Sequence, residues 1–115
     1  MDAISRQLKK GLLDILLLKL LSTKELYGYE LMTKLDEKSN GYFAAKEGTL
    51  YPVLYRLEDA GYVQSNWEST EKRRGVPRKY YTITPKGMTH LSEAQNEFND
   101  FIKASQEILG TLNDS

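Results

Sequence analysis

Apolar positions along this chain recur mostly with a period near 3.6 residues, and in one stretch the period drops to 2. Ile4, Leu8, Leu12, Ile15, Leu16 and Leu20 follow helical spacing, so residues 4–21 are expected to form a first helix. Leu13, Leu17, Leu18 and Leu21 fill its other faces, so it should be covered on more than one side. The run G-L-L-D-I-L-L-L-K-L-L is too short to span a membrane, and Asp14 and Lys19 interrupt it. A polar connection, S-T-K-E-L, leads to a second helix over residues 27–38. Gly28, Leu31, Met32 and Leu35 are its buried side, and Gly28 allows another helix to approach closely. Asn40-Gly41 marks a turn, after which Tyr42 and Phe43 are expected to fold back onto the core.

The third helix organises the rest. In E-G-T-L-Y-P-V-L-Y-R-L-E-D-A-G-Y-V, Leu50, Val53, Leu54 and Leu57 form one apolar stripe. Thr49 is the expected N-cap, Pro52 is placed in the first turn, and Gly61 stops the helix. The opposite face carries Thr49, Tyr51, Tyr55, Arg56 and Glu58, whose hydroxyls, rings and guanidinium suit phosphates and base edges. On this helix alone, an ordinary surface helix with two half-buried tyrosines is an equal reading.

From Tyr62 the period is 2. Residues 62–68 and 80–84 read as two strands, with Val63, Ser65 and Trp67 on one face of the first. Trp67 reads as core, with an aromatic ligand site as the alternative. The connection holds five basic residues, Lys72, Arg73, Arg74, Arg78 and Lys79, together with a Gly and a Pro. A basic hairpin placed directly after two helices and a turn is a wing; a solvated loop is the other reading. Thr84-Pro85 opens a last helix of about 26 residues, or roughly 40 Å. Met88, Leu91, Phe98, Phe101, Ile102, Ile108, Leu109 and Leu112 make its stripe, which is longer than so small a globule can cover. A second copy of the chain is the economical partner. His90, the single histidine, lies off this stripe and reads as a solvent-facing or satisfied surface histidine rather than a ligand.

Charge sharpens the picture. The 115 residues carry no net charge and no cysteine, which excludes disulfides and thiolate metal sites. Yet residues 72–91 hold six Lys or Arg and no acid, whereas residues 92–115 hold five acids and one Lys. Such sorting implies a basic surface and a separate acidic or solvated one. No Gly-rich phosphate loop, metal-ligand cluster or nucleophile–base pair stands out, so an enzyme is a weak rival. A winged-helix protein-interaction module is the other rival, and five charges on the wing speak against it.

The segments L-Y-G-Y-E-L, E-G-T-L-Y-P-V-L-Y-R-L-E-D-A-G-Y-V, W-E and R-K-Y-Y-T-I-T-P-K-G resemble the PadR family of bacterial transcriptional regulators, over residues 12–91. The short chain with a single helix after the wing looks like the subfamily that includes multidrug-sensing repressors. One departure is Tyr27, where many members carry His. The resemblance implies a mainly α (α+β) fold: a winged helix-turn-helix over residues 1–84 and a C-terminal dimerisation helix over residues 85–115. It implies a cytoplasmic repressor that binds palindromic double-stranded DNA as a homodimer, without a cofactor, metal or membrane, and leaves room for a small hydrophobic or phenolic effector. Lys46, Thr49, Tyr51, Pro52, Tyr55 and Arg56 would face the major groove, and Lys72, Arg73, Arg74, Arg78 and Lys79 the backbone or minor groove. Leu8, Leu12, Ile15, Phe98, Phe101, Ile102, Ile108, Leu109 and Leu112 would form the dimer seam.

Overall fold

The structure, a computed structural model, describes residues 3–68 and 76–110, with side chains from residue 7 onward. The order of elements is α1 (Ala3–Lys10), α2 (Leu13–Leu21), β1 (Leu26–Tyr27), α3 (Gly28–Lys38), α4 (Glu47–Asp59), β2 (Val63–Trp67), β3 (Lys79–Ile83) and α5 (Pro85–Leu109). The three strands form one antiparallel sheet in the order β1-β3-β2. This is a helix-turn-helix followed by a two-stranded wing and a long last helix.

The expected single first helix is broken at Gly11 and Leu12, which form a turn between α1 and α2. Gly11 is the weakest helix former in the segment. Burial also divides the leucines differently from the expected stripe. Leu13, Leu17, Leu18 and Leu21 enter the core, while Leu12, Ile15, Leu16 and Leu20 are half-buried and Leu8 is 61% exposed. The positions expected to form the stripe are therefore the outward face, and the core takes the other set.

Around α2 the core is built from Leu26, Leu31, Leu35, Leu50, Val53, Leu54, Leu57, Val63, Tyr81 and Leu91. β1 has no counterpart in the sequence pattern, because two residues carry no period. It pairs Leu26 with Tyr81 and Tyr27 with Tyr80, which fastens the start of α3 to the wing. Glu30 reaches back to accept from the Tyr27 N–H at 3.2 Å, closing that helix start. Asn40 (φ 50°) and Gly41 (φ 84°) make the turn before α4. Phe43 packs on the core as expected, but Tyr42 is exposed and lies under the Lys9 ammonium, 4.2 Å from its ring centroid.

α4 ends as the glycine requires. Gly61 adopts φ 83°, the Gly61 N–H donates to the Glu58 carbonyl and the Tyr62 N–H to the Leu57 carbonyl. Thr84 caps α5, its Oγ1 accepting from the Gly87 N–H at 3.0 Å, with Pro85 in the first turn. Leu91 near the start of α5 is buried, and α5 packs against α2. Beyond that the helix leaves the globule, and the molecule extends 60 Å along its longest axis. Met88, expected in the apolar stripe that the globule cannot cover, is exposed; Phe98 is half-buried; Ile102 is exposed, and Phe101, Ile108 and Leu109 are 63%, 87% and 83% exposed. Leu112 lies outside the described residues. His90 is half-buried and stacks on Tyr62, with ring centroids 4.0 Å apart, the satisfied surface position of the two that were expected.

Two glycines on this scaffold should respond in opposite ways to alanine. A Cβ at Gly87 would overlap the Tyr62 carbonyl, a backbone atom that cannot move aside, whereas a Cβ at Gly48 meets nothing. Gly87→Ala should lose about 1–3 kcal/mol of stability, and Gly48→Ala should gain roughly 0.4–1 kcal/mol by restricting the unfolded chain. Urea titrations of both variants measure the contrast.

Candidate nucleic-acid interface

The surface of interest is the outward side of α4 and its neighbours. Leu50, Val53, Leu54 and Leu57 hold the helix from behind, as their spacing foretold. Its N-cap is Lys46 rather than Thr49, and no side chain caps it. Thr49 lies one turn inside, where its N–H donates to the Lys46 carbonyl at 3.0 Å and its side chain is left to solvent. Pro52 is the sixth residue of the helix, not part of its first turn. The Gly48 carbonyl therefore lacks an intrahelical donor four residues on, which is tolerable because Gly48 and Pro52 are both exposed.

The residues expected to meet DNA divide into two rows. Lys46, Thr49, Pro52 and Arg56 line one side of a cleft of about 720 Å³, whose other wall is α1 and the residues before α4. Lys9 and Lys10 lie on that wall. Sequence reasoning missed them, although two adjacent lysines ending an amphipathic helix were the signal available. Arg56 is not free in this cleft: its Nη2 donates to Asp14 Oδ1 at 2.6 Å and ties α4 to α2. That pair is largely exposed and contributes little stability.

Tyr51 and Tyr55 form the second row, facing the wing, with ring centroids 6.0 Å apart. The Tyr51 hydroxyl lies where a Cβ on residue 28 would stand, so Gly28 admits α4 to α3 through this ring. Tyr51 is thus half-buried, and burial, then Glu47 and Tyr55, push its phenol above the ordinary value. Tyr55 is 51% exposed. Trp67, expected in the core, is 66% exposed, because it stands at the outer end of β2 opposite Lys79.

On the wing, Arg78 lies over the Tyr27 ring at 4.4 Å from its centroid, and Tyr27 meets Tyr80 edge to face. A hydrogen bond to Tyr80 holds the Arg78 guanidinium still more firmly protonated. Lys79 extends into the angle between wing and α4. Lys72, Arg73 and Arg74 lie outside the described residues. Among the described residues there is no group of His, Cys, Asp or Glu able to hold a metal, and no helix long and apolar enough to cross a membrane.

An exposed helix flanked by a cationic, aromatic wing suits nucleic acid. The model of the transcriptional regulator PadR-like family matches residues 17–93. The chain belongs to the PadR-like family. A curated relative, the negative transcriptional regulator PadR of Bacillus subtilis, is 29% identical over 98 residues; these cover 85% of this chain and 49% of that protein, so the chain spans about half its length. A transcriptional regulator from Clostridium thermocellum superposes with a TM-score of 0.79 at 30% identity, covering 93% of this chain and 96% of the other. A PadR family regulator from Clostridium difficile gives 0.76 at 33% identity, covering 87% and 100%. PadR-like proteins are DNA-binding transcription regulators and not enzymes, so this chain is a DNA-binding transcription regulator.

Tyr81, behind the second row, is fully buried, and its hydroxyl has no hydrogen-bond partner among the described residues. Burial, then Tyr55, Glu58 and Tyr51, push its phenol up to about 12. A folded-state value above the unfolded one favours the folded protein below pH 10, and that contribution fades as pH rises from 10 through 12. Tyr81→Phe should leave stability equal or higher at neutral pH, and should soften the fall in Tm over that alkaline window. Thermal melts of both proteins from pH 8 to 12 check it.

Proposed function

We propose that the chain is a sequence-specific repressor that binds a palindromic operator as a homodimer and is released by a small hydrophobic or phenolic effector. The observation that carries the reading is one of placement. α4 is fixed from behind by four buried side chains and presents Lys46, Thr49, Pro52, Tyr51 and Tyr55 outward, with the basic wing beside it. The N-terminal turn of α4 enters the major groove; Lys72, Arg73, Arg74, Arg78 and Lys79 follow the backbone or the minor groove. Arg56 reaches DNA only by sharing or leaving Asp14. Repression, rather than activation, is supported by the negative regulator of Bacillus subtilis. The site of action is the cytoplasm, where the chromosome lies.

The homodimer follows from the far half of α5. Phe101, Ile102, Ile108 and Leu109 are exposed, and burying each is worth roughly 1.5–3 kcal/mol. Leu8, with half-buried Leu12 and Ile15, offers a second apolar face on the first helices. Joining these faces across a two-fold axis, with Phe98 and Leu112 completing the seam, covers both and sets two α4 helices about one DNA turn, near 34 Å, apart. An effector acts by binding one spacing of the two helices better than another.

Arg73→Ala with Arg74→Ala should weaken binding to every DNA sequence alike. The slope of log K against log salt should become shallower by roughly 0.9 for each phosphate that the wing no longer neutralises. Electrophoretic shifts on fragments flanking the gene, repeated across a salt series, measure both; unchanged affinity and slope would show that the wing does not touch DNA. The melting temperature should rise with protein concentration, as folding and dimerisation coincide. Phe101→Glu should give monomers with poor operator binding, and sedimentation of the wild-type chain as a monomer at micromolar concentration would sink the dimer.

A further inference from the structure

Lys79 stands in an arrangement that contact with DNA does not require. Its ammonium lies 5.9 Å from the ring centroid of Tyr55, 5.8 Å from that of Trp67 and 5.7 Å from that of Tyr81. The rings come from three directions. Trp67 is the cross-strand partner of Lys79 on β2, Tyr81 is two residues along β3 on the same face, and Tyr55 projects from α4. A hydrogen bond of 2.5 Å from Ser65 Oγ to Glu58 Oε2 joins β2 to α4 beside them.

Ring faces attract a cation within about 6 Å of the centroid. All three distances fall just inside that limit, and they are nearly equal. No one ring therefore holds the ammonium more closely than the others. An –NH₃⁺ group is compact and strongly hydrated, whereas an ammonium clothed in alkyl groups is wider and sheds water more easily. Rings at this distance from a cation favour the second over the first. Tyr55 and Trp67 are half or more exposed, Tyr81 is fully buried behind them, and the four-carbon stem of Lys79 can swing away without moving the strand.

We propose that Tyr55, Trp67 and Tyr81 form a binding site for an organic ammonium ion, occupied in the resting protein by the chain's own Lys79. A bound ammonium ion displaces the lysine. Because the rings belong to both α4 and the wing, occupancy alters how these two elements are held together; that consequence alone rests on the DNA-binding reading.

Trp67 is the single tryptophan of the chain, so its emission reports on the site directly. The full chain, without DNA, is titrated with choline chloride, with sodium chloride at the same ionic strength, and with 3,3-dimethylbutanol, the uncharged carbon analogue of choline. A saturable change in Trp67 emission is expected with choline only. Lys79→Met, which removes the resident charge and keeps the stem, should bind choline about two- to fivefold tighter. Tyr55→Leu should bind it several-fold more weakly. If choline acts no differently from salt or from the neutral alcohol in both wild type and Lys79→Met, the site does not exist. If Lys79→Met binds choline no tighter, Lys79 is not its occupant and the proposal falls. With no DNA in the assay, either failure leaves the operator-binding reading untouched.

Discussion

The end of α4 is the point on which the remaining elements depend. A helix leaves its last carbonyls without partners; here the N–H groups of Ala60, Gly61 and Tyr62 meet those of Arg56, Glu58 and Leu57, and the start of α5 meets the carbonyls just beyond. Lys86 Nζ donates to the Ala60 carbonyl at 2.8 Å, Thr84 Oγ1 to that of Gly61 at 2.6 Å, and the Thr84 N–H to that of Tyr62 at 3.0 Å. Gly61 can turn the chain there because its φ is positive, and Gly87 lets α5 lie directly on the Tyr62 backbone. One small cluster of hydrogen bonds therefore fixes where the recognition helix stops, where the wing departs and returns, and where the long helix sets out.

Much of this was legible because it depends on short-range chemistry. The α4 stripe, the Gly61 stop, the Asn40-Gly41 turn and the Thr84-Pro85 start are each decided by a few adjacent residues. The structure uses every one of them as the sequence suggested. The first helices were harder. With leucines on all faces, periodicity cannot say which set faces inward, and the core took Leu13, Leu17, Leu18 and Leu21. β1 escaped notice because it exists only through its pairing with β3. Trp67 and His90 show the same limit: exposure and ring stacking are set by neighbours distant in sequence.

The candidate site was legible in its residue types and less so in its geometry. Tyr51 and Arg56 look equivalent on a helical wheel, as polar positions off the stripe. In the fold they face different neighbours. Tyr51 lies on Gly28 of α3, and Arg56 is drawn to Asp14 of α2. Each does structural work at the helix surface, so their value in recognition is tied to the packing of α3 and α2. The rows they belong to open on separate surroundings, a lysine-bearing cleft on one side and an aromatic wing on the other.

α5 contacts the globule near its start and projects from it for most of its length. Mechanically it is a lever whose fulcrum is the contact of Gly87 with the Tyr62 backbone. At 1.5 Å per residue its 25 residues span about 37 Å, so a tilt of roughly 10° at the fulcrum carries the free end about 6 Å. The amplification also runs in reverse. Whatever grips the far end of α5 has a long moment arm on the contact at its start, and a displacement of a few ångströms out there tilts α5 by only a few degrees.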